Sequence, residues 1–415
     1  MGKILKGACV IGQSGGPTAV INASAYGAVK TALESAEITR VLGAAHGIRG
    51  VLNDQIYDLG LEDPEELKLL LNTPSSELGS SRHKMADPEK DDKDFCRILE
   101  IFRKYDVRYF FYNGGNDSMD TCDKIDRFMQ KAEYDCNVIG IPKTIDNDLY
   151  GTDHCPGFGS AAKYIATSCM EIYKDARVYD TGTVTIIEIM GRHAGWLTAS
   201  AALACNAGAG PDLIYLPEVP FDLERFIEDV LRIYKAEGNC LVTVSEGISD
   251  KDGVFISEYG STGSASKDAF GHTQLGGLAA TLAAIVKDRI GAKVRSIELS
   301  LLQRCAAHIA SQTDIDEAFL AGKAAVEAAV AGVSGMMVAF ERNLENGNYA
   351  CGLKMIPLSS VANFEKKVPL DWITDEGRGV GPQFIEYALP LIQGEPDRTL
   401  VDSLPRFANL KKVRA

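Results

Sequence analysis

Short apolar runs alternate with longer stretches of helical periodicity along the chain. Residues 8–12 form the first run, followed by Gln13-Ser14-Gly15-Gly16 and a helical pattern over about residues 18–33. Residues 107–112 read VRYFFY, a strongly β-prone run that ends in Asn113-Gly114-Gly115. A third run, 137–141, leads into Pro142-Lys143-Thr144, and Thr183–Ile189, 213–216 and 240–244 repeat the design. Runs this short, apolar on both faces and separated by helices, predict an α/β fold with largely parallel sheet. In open sheets of that kind ligands sit beyond the carboxyl ends of the strands. The unusual residues of this chain lie in those turns.

A length of 415 residues with 46% hydrophobic positions supplies a large core and exceeds one ordinary domain, so two lobes are expected. Forty-three basic against fifty-seven acidic residues give a net charge of −14. Such a chain is a poor binder of nucleic acid or membrane, and any anionic substrate must meet basic groups concentrated locally. The ten cysteines are scattered singly, with no Cys-x-x-Cys pair, which suits reduced thiols rather than disulfides or a zinc site. The start, Met1-Gly-Lys-Ile-Leu-Lys, lacks the apolar core and cleavage site of a signal peptide, and no apolar stretch is long enough to span a bilayer. A cytoplasmic location is expected.

The turn Gln13-Ser14-Gly15-Gly16 fits a phosphate cradle at a helix start and equally a plain tight turn; it is neither a Walker A loop nor a Rossmann fingerprint. Asn113-Gly114-Gly115-Asn116-Asp117-Ser118 bends after a strand and opens a helix with three hydrogen-bonding side chains, which suits a cradle or simple capping. Pro142-Lys143-Thr144-Ile145-Asp146-Asn147-Asp148 carries the strongest signal. Two carboxylates, a lysine and a threonine at a strand end suit a base, an anionic ligand and its metal ion better than a cluster of Asx turns. Met190-Gly191-Arg192 and Ser245-Glu246-Gly247 each follow a strand, adding a guanidinium and a carboxylate. His193 reads as a structural hydrogen-bonder.

Taken in order, these elements, with Gly79-Ser80-Ser81-Arg82 and Leu301-Leu302-Gln303-Arg304, resemble the phosphofructokinase family over roughly residues 5–340. The resemblance implies two similar α/β/α sandwich lobes with mostly parallel sheets. Residues 1–157 would bind the phosphoryl donor, completed by about 305–350. Residues 158–304 would bind fructose 6-phosphate, completed by 351–415. It further implies that Asp146 is the general base for the sugar's C1 hydroxyl, with Lys143 and Asp117 also in the catalytic group. Gly15, Gly16, Arg82 and Gly115 would hold the donor. Thr144, Asp148, Met190, Gly191, Arg192, Glu246, Arg295 and Arg304 would hold the sugar phosphate. Mg²⁺ would be the cofactor, with Asn116 at its site, and a homodimer or homotetramer would complete the phosphate grip.

Two positions speak to the donor. Family members that use ATP typically read Gly-Gly-Asp-Gly-Ser and Pro-Gly-Thr-Ile-Asp-Asn-Asp, whereas here Asp117 and Lys143 replace the variable glycines. A carboxylate where a nucleotide's α-phosphate must lie, and an ammonium on the transferring phosphate, resemble the pyrophosphate-dependent branch. The expected reaction is therefore reversible phosphoryl transfer from pyrophosphate to fructose 6-phosphate. An ATP-dependent 6-phosphofructokinase and a non-catalytic regulatory subunit are the alternatives. Asn116, Thr183, Leu301 and Pro17-Thr18-Ala19 depart from the common family pattern.

Overall fold

The structure is a computed structural model that describes residues 4–178, 180–260, 277–362 and 364–415. The strands of the two large sheets are β1 (Gly7–Gln13), β2 (Ile38–Ala44), β3 (Ile56–Asp58), β4 (Val107–Gly114), β5 (Asn137–Pro142), β6 (Thr183–Ile189), β7 (Leu213–Tyr215), β8 (Cys240–Ser245), β9 (Lys293–Glu298), β10 (Met336–Glu345) and β11 (Asn348–Pro357), and the apolar runs form β1, β4, β5, β6, β7 and β8. Every residue of β1, β5, β6 and β8 is buried, as expected of parallel strands covered on both faces.

The first lobe holds a seven-stranded sheet in the order β11-β10-β5-β4-β1-β2-β3. Strands β2, β1, β4, β5 and β10 run parallel, and β3 and β11 close the edges antiparallel. The chain leaves β1 toward β2 on one side and later adds β4 on the other, so the carboxyl ends of β1 and β4 flank a topological switch point. Register makes this concrete: Gln13 lies opposite Asn113, and Gly114 opposite Pro142. The three motif loops after β1, β4 and β5 therefore emerge side by side.

The second lobe has the order β7-β8-β6-β9, all parallel. Ile189 lies opposite Ser245 and Glu188 opposite Glu298, which brings the loops after β6, β8 and β9 together in turn. The edge strand β9, Lys-Val-Arg-Ser-Ile-Glu, is mostly exposed and has no apolar run to announce it.

The chain crosses between the lobes repeatedly. The helix Phe158–Ala176 packs into the second core, while Gln312–Val330 returns to lie against Ile21–Glu34 in the first. Those two helices touch backbone to backbone: a Cβ on Gly27 would sit 2.1 Å from the Phe319 carbonyl oxygen, and one on Gly322 1.9 Å from that of Ser24. The C-terminal segment serves both lobes. The helix Pro382–Ala388 gives Phe384 and Tyr387 to the second core, whereas Val413 and Ala415 bond back to Asp58 and Ile56 beside β3. Among the described residues no helix is long and apolar enough to cross a membrane.

Candidate active site

The two lobes face each other across a cleft of about 630 Å³, lined from the first lobe by Ser14–Pro17, Arg82, Lys84, Gly115–Ser118 and the loop 143–148. Gly15 has φ +76°, a conformation a side chain resists, and a Cβ there would lie 3.2 Å from Lys143 Nζ. Its carbonyl accepts from Ser80 Oγ at 2.7 Å, which ties the first turn to the Arg82 loop. The helix Asn116–Lys131 begins at Gly115 with no side-chain cap, so its N-terminal amides are available to an anion in the cleft. Asp117, in its first turn, is exposed to the cleft.

Lys143 is 3% exposed. Its backbone N–H donates to Gly114 O at 3.0 Å and its Nζ to Gly16 O at 2.6 Å, so one residue links all three loops. Burial pushes its ammonium down to about 8, with Arg304 and Arg82 adding to the effect and Asp146 and Asp148 opposing it. Thr144 Oγ1 accepts from the Asp146 N–H at 3.1 Å, shaping the turn. Burial raises the Asp146 carboxyl above its ordinary value, against the pull of Arg304, Lys143, Arg192 and His193. Asp148 is raised to about 7, by burial and by Asp146 beside it. Between them Asn147 is buried at φ +56°, with Oδ1 accepting from Cys155 N at 2.9 Å and Nδ2 donating to Tyr387 Oη at 2.7 Å.

The second lobe supplies Met190, Arg192, His193, Ala194, Glu246 and Arg304 to the same cleft. Met190 N donates to Gln303 Oε1 at 3.1 Å, and Gly191 N, at φ +129°, donates to Glu246 Oε1 at 3.4 Å. The turn after β8 packs so closely that a Cβ on Gly247 would fall 1.9 Å from Arg192 O. Glu246 is raised to about 7, first by burial and then by Asp146. Arg304, on the short helix Leu302–Cys305, reaches across: its Nη1 would lie 3.3 Å from a Cβ on Gly16.

All but two of the site residues read from the sequence line this cleft. Gly191 stands just behind it and orients Glu246. Arg295 is elsewhere: it is on the exposed strand β9 and pairs with Asp175 at 2.9 Å. The structure adds Lys84, His193 and Glu365 to the lining and Tyr387 behind the 143–148 loop. Lys84 and Glu365 carry no motif, and their places follow from how the chain folds back on itself.

A family model described as Phosphofructokinase matches residues 8–307. The chain belongs to the phosphofructokinase family. It is 44% identical over 408 residues to the pyrophosphate–fructose 6-phosphate 1-phosphotransferase of Xanthomonas campestris pv. campestris, covering 97% of this chain and 95% of the relative. The protein of that name from Halomonas elongata is 43% identical over 406 residues, at 97% and 96% coverage. A crystal structure of a pyrophosphate-dependent phosphofructokinase from Marinobacter aquaeolei superimposes with a TM-score of 0.88 at 39% identity, over 98% of this chain and 97% of that one. This phosphofructokinase-family chain thus has the mixed α/β two-lobed architecture expected from its sequence.

Phosphotransferases of this family generally use a divalent metal. The residues present fit one. Asn116 Oδ1 is buried with no hydrogen-bond partner among the described residues, while its Nδ2 donates to Asp148 Oδ2 at 3.5 Å. An orphaned amide oxygen among carboxylates is a hard-oxygen donor set of the kind divalent cations prefer.

Proposed function

We propose that this chain transfers a phosphoryl group from pyrophosphate to the C1 hydroxyl of fructose 6-phosphate, reversibly, giving fructose 1,6-bisphosphate and orthophosphate. The observation that carries the reading is a buried ammonium and a partly buried carboxylate, Lys143 and Asp146, on one loop facing one cleft. Two relatives named for this reaction share more than two-fifths of their residues with the chain.

In this mechanism the C1 oxygen attacks the transferring phosphorus in line, the bridging P–O bond breaks, and Asp146 takes the hydroxyl proton. A carboxyl raised by burial is a better proton acceptor than an ordinary one, and such a base is worth about 10²–10⁴ in rate. Lys143 neutralises charge on the transferring phosphate, a group that needs positioning and electrostatics more than covalent help. Gly15, Gly16, Gly115 and Arg82 hold the donor in the lobe built from 1–157 and the returning segment 305–350. Thr144, Met190, Gly191, Arg192, Glu246 and Arg304 hold the sugar phosphate against the lobe built from 158–304 and the C-terminal segment. Arg295, exposed on an edge strand, reaches a sugar phosphate only in a second copy, so a homodimer or homotetramer is part of the proposal. Asn116 and Asp148 would hold Mg²⁺, which supplies further neutralisation of phosphate oxygens when bound.

Asp117 supports pyrophosphate over ATP. Its carboxylate stands at the opening of an uncapped helix, where a nucleotide's α-phosphate would meet a like charge at a cost of several kcal/mol. The test is formation of fructose 1,6-bisphosphate by the purified protein with Mg²⁺, given pyrophosphate or ATP in parallel. Turnover with pyrophosphate alone is expected. Turnover with ATP alone overturns the donor assignment, and silence with both points to a non-catalytic sugar-phosphate binder.

A further inference from the structure

The loop that carries Asp146 and Asp148 turns at a residue whose partners lie in the C-terminal segment. Asn147 is fully buried at φ +56°, and both ends of its amide are engaged, Oδ1 with Cys155 N at 2.9 Å and Nδ2 with Tyr387 Oη at 2.7 Å. Tyr387 Oη in turn donates to Asp153 O at 2.7 Å. One hydroxyl therefore spans the loop from residue 147 to residue 153. It comes from the helix Pro382–Ala388, more than two hundred residues downstream.

The hydroxyl is itself held. The Tyr387 ring packs on Trp196, centroids 5.2 Å apart, and under the Arg342 guanidinium at 4.8 Å. Arg342 also donates to Tyr387 O at 3.0 Å and to Asp153 Oδ2 at 3.0 Å. Trp196 begins the helix that follows the Met190–Ala194 lining, and its Nε1 donates to Lys366 O at 2.9 Å. Lys366 N closes the circuit on Asp148 O at 2.8 Å. Each link bears on the direction of the two carboxylates that flank Asn147, and none of these groups except Asp148 lines the cleft.

We infer that Tyr387 is a positioning residue for phosphoryl transfer: through Asn147 it sets the orientation of Asp146 and Asp148, so the C-terminal segment acts in catalysis without touching substrate. This deepens the reaction proposed above and rests on it. Tyr387→Phe removes the link and keeps the ring. Asn147→Gly removes it from the other side while keeping a residue suited to positive φ. Geometry errors near 1 Å in a reacting group cost up to about 100-fold in rate. Each variant is expected to lose about 10- to 100-fold in kcat, with KM for fructose 6-phosphate changed less than about threefold. The double variant should lose less than the product of the two single losses, because both cut the Asn147–Tyr387 bond, although each also cuts one bond of its own, to Cys155 N or to Asp153 O.

Tyr134→Phe serves as the control. Its hydroxyl bonds Phe102 O at 3.0 Å and Val107 O at 2.9 Å away from the cleft, so it should lower the melting temperature and leave kcat alone. A kcat for Tyr387→Phe within twofold of wild type, with a similar loss of melting temperature, overturns the inference. If Tyr387→Phe does not fold, Asn147→Gly decides by the same criteria. Crystal structures of wild type and variant give a reading independent of turnover. A 144–148 loop displaced by about 1 Å supports the inference, and a loop that superimposes overturns it, even if wild type turns over neither donor and the proposed reaction fails.

Discussion

Lys143→Met probes the electrostatic core of the site. The ammonium is pushed from its ordinary 10.5 down to about 8, so keeping it charged at this buried position costs about 3 kcal/mol. The methionine has similar bulk and no charge, but leaves Gly16 O without the donor that meets it at 2.6 Å, a loss of about 1.5–2 kcal/mol. The ligand-free variant should therefore be more stable than wild type by about 1 kcal/mol at pH 7. The sign with pH follows from a depressed cationic group. The wild-type penalty is full below about pH 8 and disappears as pH rises toward 10.5, so the variant's advantage should shrink over that window and reverse once the penalty falls below the lost hydrogen bond.

Pyrophosphate binding should move the other way. Removing a buried cation aimed at the donor costs about 2–4 kcal/mol, or 30- to 1,000-fold in Kd, at pH 7. Above pH 8 the wild-type lysine must take up a proton to meet its ligand, so its advantage over Met should shrink by up to about tenfold per pH unit. Pyrophosphate's own protonation cancels in the difference between the two proteins. Scanning calorimetry and isothermal titration between pH 6.5 and 9.5 measure both trends. Equal pyrophosphate affinity at pH 7, or a difference that stays constant through pH 9.5, refutes the role given to Lys143.

Asp146→Asn should lower kcat by about 10²–10⁴ with little change in KM for fructose 6-phosphate; near-normal initial rates would remove it as the base. Asp117→Gly should admit ATP as donor, more so combined with Lys143→Gly, and unchanged exclusion of ATP by both variants would contradict the like-charge reasoning. Asp148, raised to about 7, stabilises the ligand-free fold fully only below the ordinary carboxylate range and loses that contribution as pH rises toward 7. Asp148→Asn should therefore gain melting temperature relative to wild type as pH goes from 5 to 8, and a constant difference would argue against a carboxyl held above its ordinary range.

The inner parallel strands were legible because they are buried on both faces and so are largely apolar along their length; Thr183–Ile189 has the bounds its pattern implies. The motif turns were legible too, because chemistry at strand ends concentrates glycine, acid and base within a few residues. Strand β9 was not: an exposed edge needs no apolar run, and Lys-Val-Arg-Ser-Ile-Glu reads as surface. The hairpin β10–β11 escaped for a related reason, since its far half is largely exposed.

Local sequence thus carried the fold class, the family resemblance and most of the cleft, since each depends on residues near one another in the chain. It was silent wherever distant segments meet. That Arg304 of the second lobe stands over Gly16 of the first depends on how two sheets face each other. That Glu365 lines the cleft and Tyr387 grips Asn147 depends on a C-terminal segment folding back onto the loop after β5. Burial, which raises Asp146 and lowers Lys143, is likewise a property of packing. The motif names the groups, but only the removal of water around them gives those groups the shifted proton affinities on which the proposed chemistry rests.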